Sequence, residues 1–373
     1  MIQADIIIIG AGLMGAATAF NLARNAKKVV LLEKEQSGIH ASAVNAGGVR
    51  RLNRALAEIP ISVAAAEMWP KLENIIGDDC DFQPVGQVRI APGDLEMEQL
   101  AARAAKVQAL GFLHEEVIDA AEVNRLVPAY KGSCSGGIVT RSDGHALPAR
   151  TLKAFVNAAV REGVGLYRKC RVVGVAKKGG RFFVQAEDGR QFQSELVVNA
   201  AGAWGKNIAH LAGDKLPIEP AALTMMVTGR MKPFLLPVVG IQGHKLSFKQ
   251  VENGTVIIGG GHRAILDMKT EKNILQVSEV KKSSDTVRRH FPIMEKSMIV
   301  RTWAGIEGLV SDGLPIIDES PHIPGMFHVC GFSAHGFQLS PMIGVLAASM
   351  VLGQKPDLSL DSFSMSRFKN HPG

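Results

Sequence analysis

Apolar and polar positions recur with two different periods along the sequence, and the changes of period mark its elements. Residues 6–9 are four consecutive isoleucines, a run that suits a strand buried on both faces. It passes through Gly10, Gly12 and Gly15 into an alanine-rich stretch that predicts a helix over roughly residues 13–25, and a second apolar strand at 29–32 ends in Glu33. Helical spacing returns near 61–76, 95–110 and 148–162, with strand signals at 86–90. From Arg171 to Trp204 short alternating strands are punctuated by Lys178-Gly179-Gly180 and Asp188-Gly189; the last of them, 195–199, ends in Ala-Ala-Gly-Ala-Trp. Between about 215 and 300 the runs at 223–228, 244–248 and 255–259 suit an antiparallel sheet. At the end, 326–330 reads as a strand, 331–338 as a glycine loop and 341–352 as a helix of small residues.

The glycine spacing has a physical reason. Gly10 permits a tight turn, Gly12 lets the backbone approach a pyrophosphate, and Gly15 lets the helix sit close on the strand, so that phosphate charge meets a helix N-terminus. Glu33 stands where such folds place an acid for ribose hydroxyls. NAD and FAD are not separated by this unit, because both offer it an ADP half. A simple NAD-binding layout would continue as βαβαβ for roughly 150 residues. Instead a glycine-rich loop occupies 40–51, and a second strand meets a small-residue turn only at 199–204. The expected fold is α/β, with a Rossmann-like nucleotide domain interleaved with an antiparallel-sheet substrate domain.

Composition narrows the classes. The 373 residues are 46% hydrophobic and 21% charged, as in a soluble α/β protein with a large core. The net charge of +7 is spread over doublets such as Lys27-Lys28 and Arg50-Arg51, without long basic runs, which argues against nucleic acid. Cys80, Cys134, Cys170 and Cys330 form no CxxC pair, so no metal or iron–sulfur site is expected within the chain, and reduced thiols point to the cytoplasm. The apolar N-terminus lacks the basic leader of a signal peptide, and no apolar stretch reaches the ~18 residues of a membrane span.

The strand-GAGLMGAA unit, Glu33, the Ala46–Gly48 loop, VVNAAGAW at 197–204 and GFSAHGFQ at 331–338 together resemble the D-amino-acid oxidase superfamily of FAD enzymes, over nearly the whole chain. The resemblance implies an FAD-binding domain at 1–80, 145–214 and 301–373 and a substrate-binding domain at 81–144 and 215–300. It further implies that Gly10, Gly12, Leu13, Met14 and Gly15 hold the pyrophosphate, and Glu33 with Lys34 the adenosine. Ser42 and Ala46, Gly47, Gly48 and Val49 would flank pyrophosphate and isoalloxazine. Val172 would meet adenine, Gly202 and Trp204 the inner end of the cofactor, and Gly336, Phe337 and Gln338 the flavin pyrimidine ring. FAD is expected to be non-covalent, because Trp303-Ala304-Gly305 occupies the region of the sarcosine oxidase flavin cysteine. The implied chemistry is hydride transfer to flavin from the carbon beside a neutral amine, followed by imine hydrolysis.

Two departures bear on substrate. Sarcosine oxidases show GFSGHGFK where this chain has GFSAHGFQ, and glycine oxidase shows WAGLRP where it has WAGIEG, so Gln338 and Glu307 replace carboxylate-binding cations. Glu307 is read either as attracting an amine-bearing arm or as paired structurally with Arg50 or Arg51. Arg50 is the leading carboxylate clamp, His335 the preferred histidine for ordering substrate, and His244 and His262 second choices. The stretch 255–262 lacks the lysine that assists oxygen in sarcosine oxidase. The expected enzyme therefore oxidises a secondary amino acid, opine or imino acid as the catalytic β subunit of a dehydrogenase whose partners carry iron–sulfur and further flavin sites. A self-contained glycine, D-amino-acid or sarcosine oxidase releasing peroxide, a flavin-binding scaffold and an NAD-only dehydrogenase are the alternatives.

Overall fold

A computed structural model describes residues 1–25, 27–36 and 38–368. Its organising element is a six-stranded sheet in the order Ile316–Glu319, Met326–Cys330, Leu196–Asn199, Ile6–Ile9, Val29–Leu32, Gly165–Tyr167. All neighbours are parallel except the Ile316–Glu319 edge. The four isoleucines alternate between two cores. Ile6 and Ile8 pack under the helices Leu13–Ala23, Pro148–Arg161 and Gly336–Val351, whereas Ile7 and Ile9 face the meander that includes Phe182, Val184 and Phe192. Both faces are covered, which is why the run contains no polar residue.

The second sheet has ten strands. Glu219–Thr228 lies within it and pairs along its length with Ile299–Leu309, so residues 301–309, which the sequence reading assigns to the nucleotide domain, are hydrogen-bonded into the second sheet. The pairing is antiparallel, as expected, with one exception: Val238–Ile241 runs parallel to Gln87–Ala91. The fold is thus a Rossmann-like domain interleaved with a substrate domain built mainly of antiparallel strands.

Three local expectations are corrected. The segment 40–51 is not all loop: it holds a short helix, Ala41–Val44, and the strand Gly48–Val49. The strand expected at 244–248 is Ser247–Gln250. The last helix starts at Gly336 rather than Pro341, so Gly336, Phe337 and Gln338 form its first turn. Pro341 has no N–H to give the Phe337 carbonyl, and the Ser340 hydroxyl donates to it instead at 2.9 Å. Among the described residues no helix is long and apolar enough to cross a membrane.

Candidate functional site

A single elongated cavity of about 680 Å³ runs between the two sheets. At one end, Gly10 adopts φ +104° and a Cβ there would stand 2.6 Å from the Ala200 carbonyl oxygen. A Cβ on Gly15 would fall 1.9 Å from the Gly10 carbonyl oxygen, so this glycine sets the distance between helix and strand. The helix Leu13–Ala23 has Gly12 as its N-cap, which has no side chain to cap the first turn. Leu13 N–H donates to Ser42 Oγ at 3.0 Å, and Ala11 N–H to Glu33 Oε2 at 2.9 Å. Burial pushes the Glu33 carboxyl up, against the backbone N–H groups of Glu35 and Ala11.

Beyond Glu33 lies a clasp that sequence reasoning missed. Glu271, from the turn between Arg263–Asp267 and Lys272–Ile274, accepts from Lys34 Nζ, from Arg171 at 2.7 Å and from Trp204 Nε1 at 2.9 Å. Lys34 Nζ also lies 3.3 Å from the centroid of the Trp204 indole. Burial alone would raise the Glu271 carboxyl, but the bonds from Arg171 and Lys34 outweigh it and hold it at about 2. No local signal marks Glu271, since Lys34 is 237 residues away in sequence.

The opposite end is built from the Gly331–Phe337 loop and helix start, the strand Ile299–Leu309 and the stretch after Gly48. His335 Nδ1 is 2.9 Å from Glu58 Oε2. Burial lowers the His335 imidazole, and the Glu58 bond only partly restores it. Burial would raise Glu58, yet His335 and Arg54 hold its carboxyl below the ordinary range. Glu307 is half-buried on the cavity wall; desolvation pushes its carboxyl up to about 7, against the opposing influence of the Ala334 backbone N–H. Among the described residues no Lys, Arg or His lies within 4 Å of it. The structural pairing with Arg50 or Arg51 is therefore overturned: Arg51 binds Asp143 at 3.0 Å, while Arg50 Nη1 donates to the Leu52 and Asn53 carbonyls.

The structure brings most of the predicted residues to this cavity. Gly10, Gly12, Leu13, Met14, Glu33, Lys34, Ser42, Ala46, Gly48, Val172, Gly202, Gly336, Phe337, Arg50, His335, Glu307 and His244 all line it. Trp204 does too, but its indole sits against Lys34 and Glu271 in the clasp rather than at the inner end of the cofactor, which corrects that expectation. Gly15, Gly47 and Val49 do not line it, being packed behind it. Gln338 is corrected as both cofactor and substrate contact. Its side chain is fully buried, donates to the Ser62 carbonyl at 2.8 Å and accepts from Ser62 Oγ and Arg54. The helix start one turn earlier than expected rotates it into the core. His262 is also off the wall, with Nδ1 3.0 Å from Glu279. Trp303 Nε1 donates to the Val44 carbonyl at 2.8 Å and ties the second sheet to the short helix.

A glycine turn running into the start of a helix, a fixed acid beyond it and a cavity that continues past both suit an extended dinucleotide. The family described as FAD dependent oxidoreductase matches residues 5–350. The chain belongs to that family. This FAD-dependent oxidoreductase is 25% identical to the sarcosine oxidase beta subunit of Rhizobium meliloti (strain 1021), over 98% of its own length and 88% of the relative. It is 26% identical to an opine oxidase subunit of Agrobacterium tumefaciens (strain Ach5), over 99% and 98%. Its fold matches the crystal structure of glycine oxidase from Geobacillus kaustophilus with a TM-score of 0.90 at 22% identity, covering 100% of both chains.

With FAD as the family's cofactor, Gly10, Gly12 and Leu13 would hold its pyrophosphate and Glu33 its ribose. The Glu271 clasp, which joins Lys34 next to Glu33, would then close over the adenosine end. Glu271→Gln removes one ionic partner from both Lys34 and Arg171, and FAD is expected to dissociate about tenfold faster. Stopped-flow release of flavin fluorescence measures it; an unchanged rate would mean that the clasp does not hold the cofactor.

Proposed function

We propose that this oxidoreductase oxidises the C–N bond of a secondary amino acid, opine or imino acid, giving an imine that water hydrolyses. The observation that carries the reading is the unpaired Glu307 carboxyl on the cavity wall, held near neutrality by desolvation. An aliphatic amine arrives at pH 7 mostly as ammonium, and the carbon beside it gives up a hydride only when the nitrogen lone pair is free. Glu307 takes the ammonium proton, a task matched to a carboxyl that titrates near the working pH. Bound FAD, held non-covalently, supplies the two-electron acceptor. Arg50, whose Nε and second Nη have no acceptor among the described residues, clamps the carboxylate of the substrate. His335, fixed by Glu58, orients the bound substrate against the helix start at Gly336, and that ordering is what brings the C–H bond into line.

The sarcosine and opine oxidase relatives are themselves subunits of larger enzymes by name, which supports a role as the β subunit of a multi-subunit dehydrogenase. The test is anaerobic titration of the FAD-loaded chain, alone and with the products of neighbouring genes, using sarcosine, proline, hydroxyproline, octopine and nopaline. At least one is expected to bleach the flavin absorbance; none doing so sinks the reading. Oxygen uptake and peroxide release by the isolated chain would identify a self-contained oxidase instead. Arg50→Met is expected to raise the half-saturating concentration about 10- to 100-fold at unchanged flavin content, the loss of one charge-assisted bond.

A further inference from the structure

We propose that Arg89 is a second carboxylate-binding residue and that the preferred substrate is an amine flanked by two carboxylates, an N-(carboxyalkyl)amino acid; this rests on the amine-oxidation reading above. Arg89 belongs to the strand Gln87–Ala91, in which Val88 and Ile90 are fully buried in the core behind the sheet while Gln87 and Arg89 line the cavity. Its guanidinium is aimed by a relay of amides. Arg89 Nε donates to Gln242 Oε1 at 2.6 Å, and Gln242 is itself fixed by its backbone N–H to the Ile90 carbonyl at 2.8 Å and by Nε2 to Gln99 Oε1 at 3.0 Å. The fork stands over Gly240 on the cavity wall, where a Cβ would come within 3.4 Å of Nη1.

The two Nη groups have no acceptor, and no carboxylate lies within 4 Å, among the described residues. The other cavity arginines differ. Arg54 spends Nε and both Nη groups on the Arg50 and His335 carbonyls and Gln338 Oε1, and Arg171 is paired with Glu271. Arg50 and Arg89 are left as two guanidiniums lining one cavity with no carboxylate within 4 Å among the described residues, and burial together with the Arg50 charge pushes Arg89 down to about 10. Such an arrangement is unfavourable until an anion enters. A substrate with one carboxylate satisfies one arginine and leaves the other buried and unpaired. One with a carboxylate on each side of the nitrogen satisfies both. With its ammonium it carries one net negative charge, against one net positive charge on Arg50, Arg89 and ionised Glu307.

The test uses the FAD-loaded protein and two thioethers that resemble such amines but cannot be oxidised at nitrogen: thiodiacetate, with two carboxylates, and methylthioacetate, with one. Binding is read by calorimetry and by perturbation of the flavin spectrum. Thiodiacetate is expected to bind about 10- to 100-fold more tightly. Arg89→Gln should remove most of that difference while leaving methylthioacetate within about twofold, and Arg89→Lys should restore part of it. Equal binding of the two ligands by the unmodified protein overturns the proposal, even if Arg89→Gln does not fold, and so does a variant that weakens both alike. Arg89-dependent selection without bleaching by any amine, iminodiacetate included, overturns the oxidation reading while the subsite stands. Bleaching by sarcosine or proline with no selection between the thioethers does the reverse.

Discussion

Gly15→Ala is expected to give a protein that purifies colourless and melts well below the unmodified chain. The added Cβ would stand 1.9 Å from the Gly10 carbonyl oxygen, a backbone atom that cannot rotate away. Relief requires the helix Leu13–Ala23 to move off the strand Ile6–Ile9, yet that helix also packs against Pro148–Arg161 and Gly336–Val351. Overpacking of this kind costs about 1–3 kcal/mol or more. The shift also displaces the Gly12 and Leu13 amides from the place where phosphate charge would be met, so affinity falls together with stability. The ratio of flavin absorbance to protein absorbance after desalting, with a thermal melt, measures both. A yellow Gly15→Ala protein of normal stability would show that the close approach of helix and strand is dispensable.

Glu307→Gln is expected to slow flavin reduction about 10²- to 10⁴-fold at pH 7, the usual contribution of a positioned base. The sign of the pH dependence follows from burial. The carboxyl works as an acceptor only when ionised, so reduction by a saturating amine should rise with pH through about 7 and then level off. In the variant that limb disappears, and the rate instead follows ionisation of the amine itself at higher pH. Stability moves the other way. A carboxyl whose folded pKa is raised contributes no penalty below its unfolded value of about 4.3, costs stability increasingly as pH rises from there to about 7, and carries a constant penalty above that. Glu307→Gln should therefore match the unmodified protein near pH 4 and exceed it by about 1–3 kcal/mol at pH 8. A structural acid would lose stability on the same substitution, and a variant that is both slower and less stable at pH 8 would refute the assignment. Stopped-flow reduction and denaturant titration across pH 5–9 separate the two outcomes.

Much of the nucleotide half was legible because its signals are local. The runs at 6–9, 29–32 and 326–330 contain only apolar residues or, in the last, a histidine satisfied by Asp214, and all three lie in the six-stranded sheet. The site was less legible where contacts join distant segments. Gln338 reads as a ligand because it stands where sarcosine oxidases have a lysine, but Ser62 and Arg54 satisfy its amide inside the core. The start of the last helix was misread for a related reason: Pro341 suggests an N-terminus, and only the fold shows Ser340 replacing the missing donor. Arg89 did carry a signal, since alternation in Gln87–Ala91 puts it on the face opposite Val88 and Ile90. What alternation could not supply is the knowledge that this face looks into the cavity rather than out to water.

The strand order of the six-stranded sheet bears on how the protein is made. Leu196–Asn199 receives its outer neighbour only from Met326–Cys330, about 130 residues later, so a nascent chain emerging from the ribosome carries an unpaired edge until synthesis is nearly complete. Chains cut short before that strand are expected to be substrates for chaperones and proteases rather than smaller working enzymes.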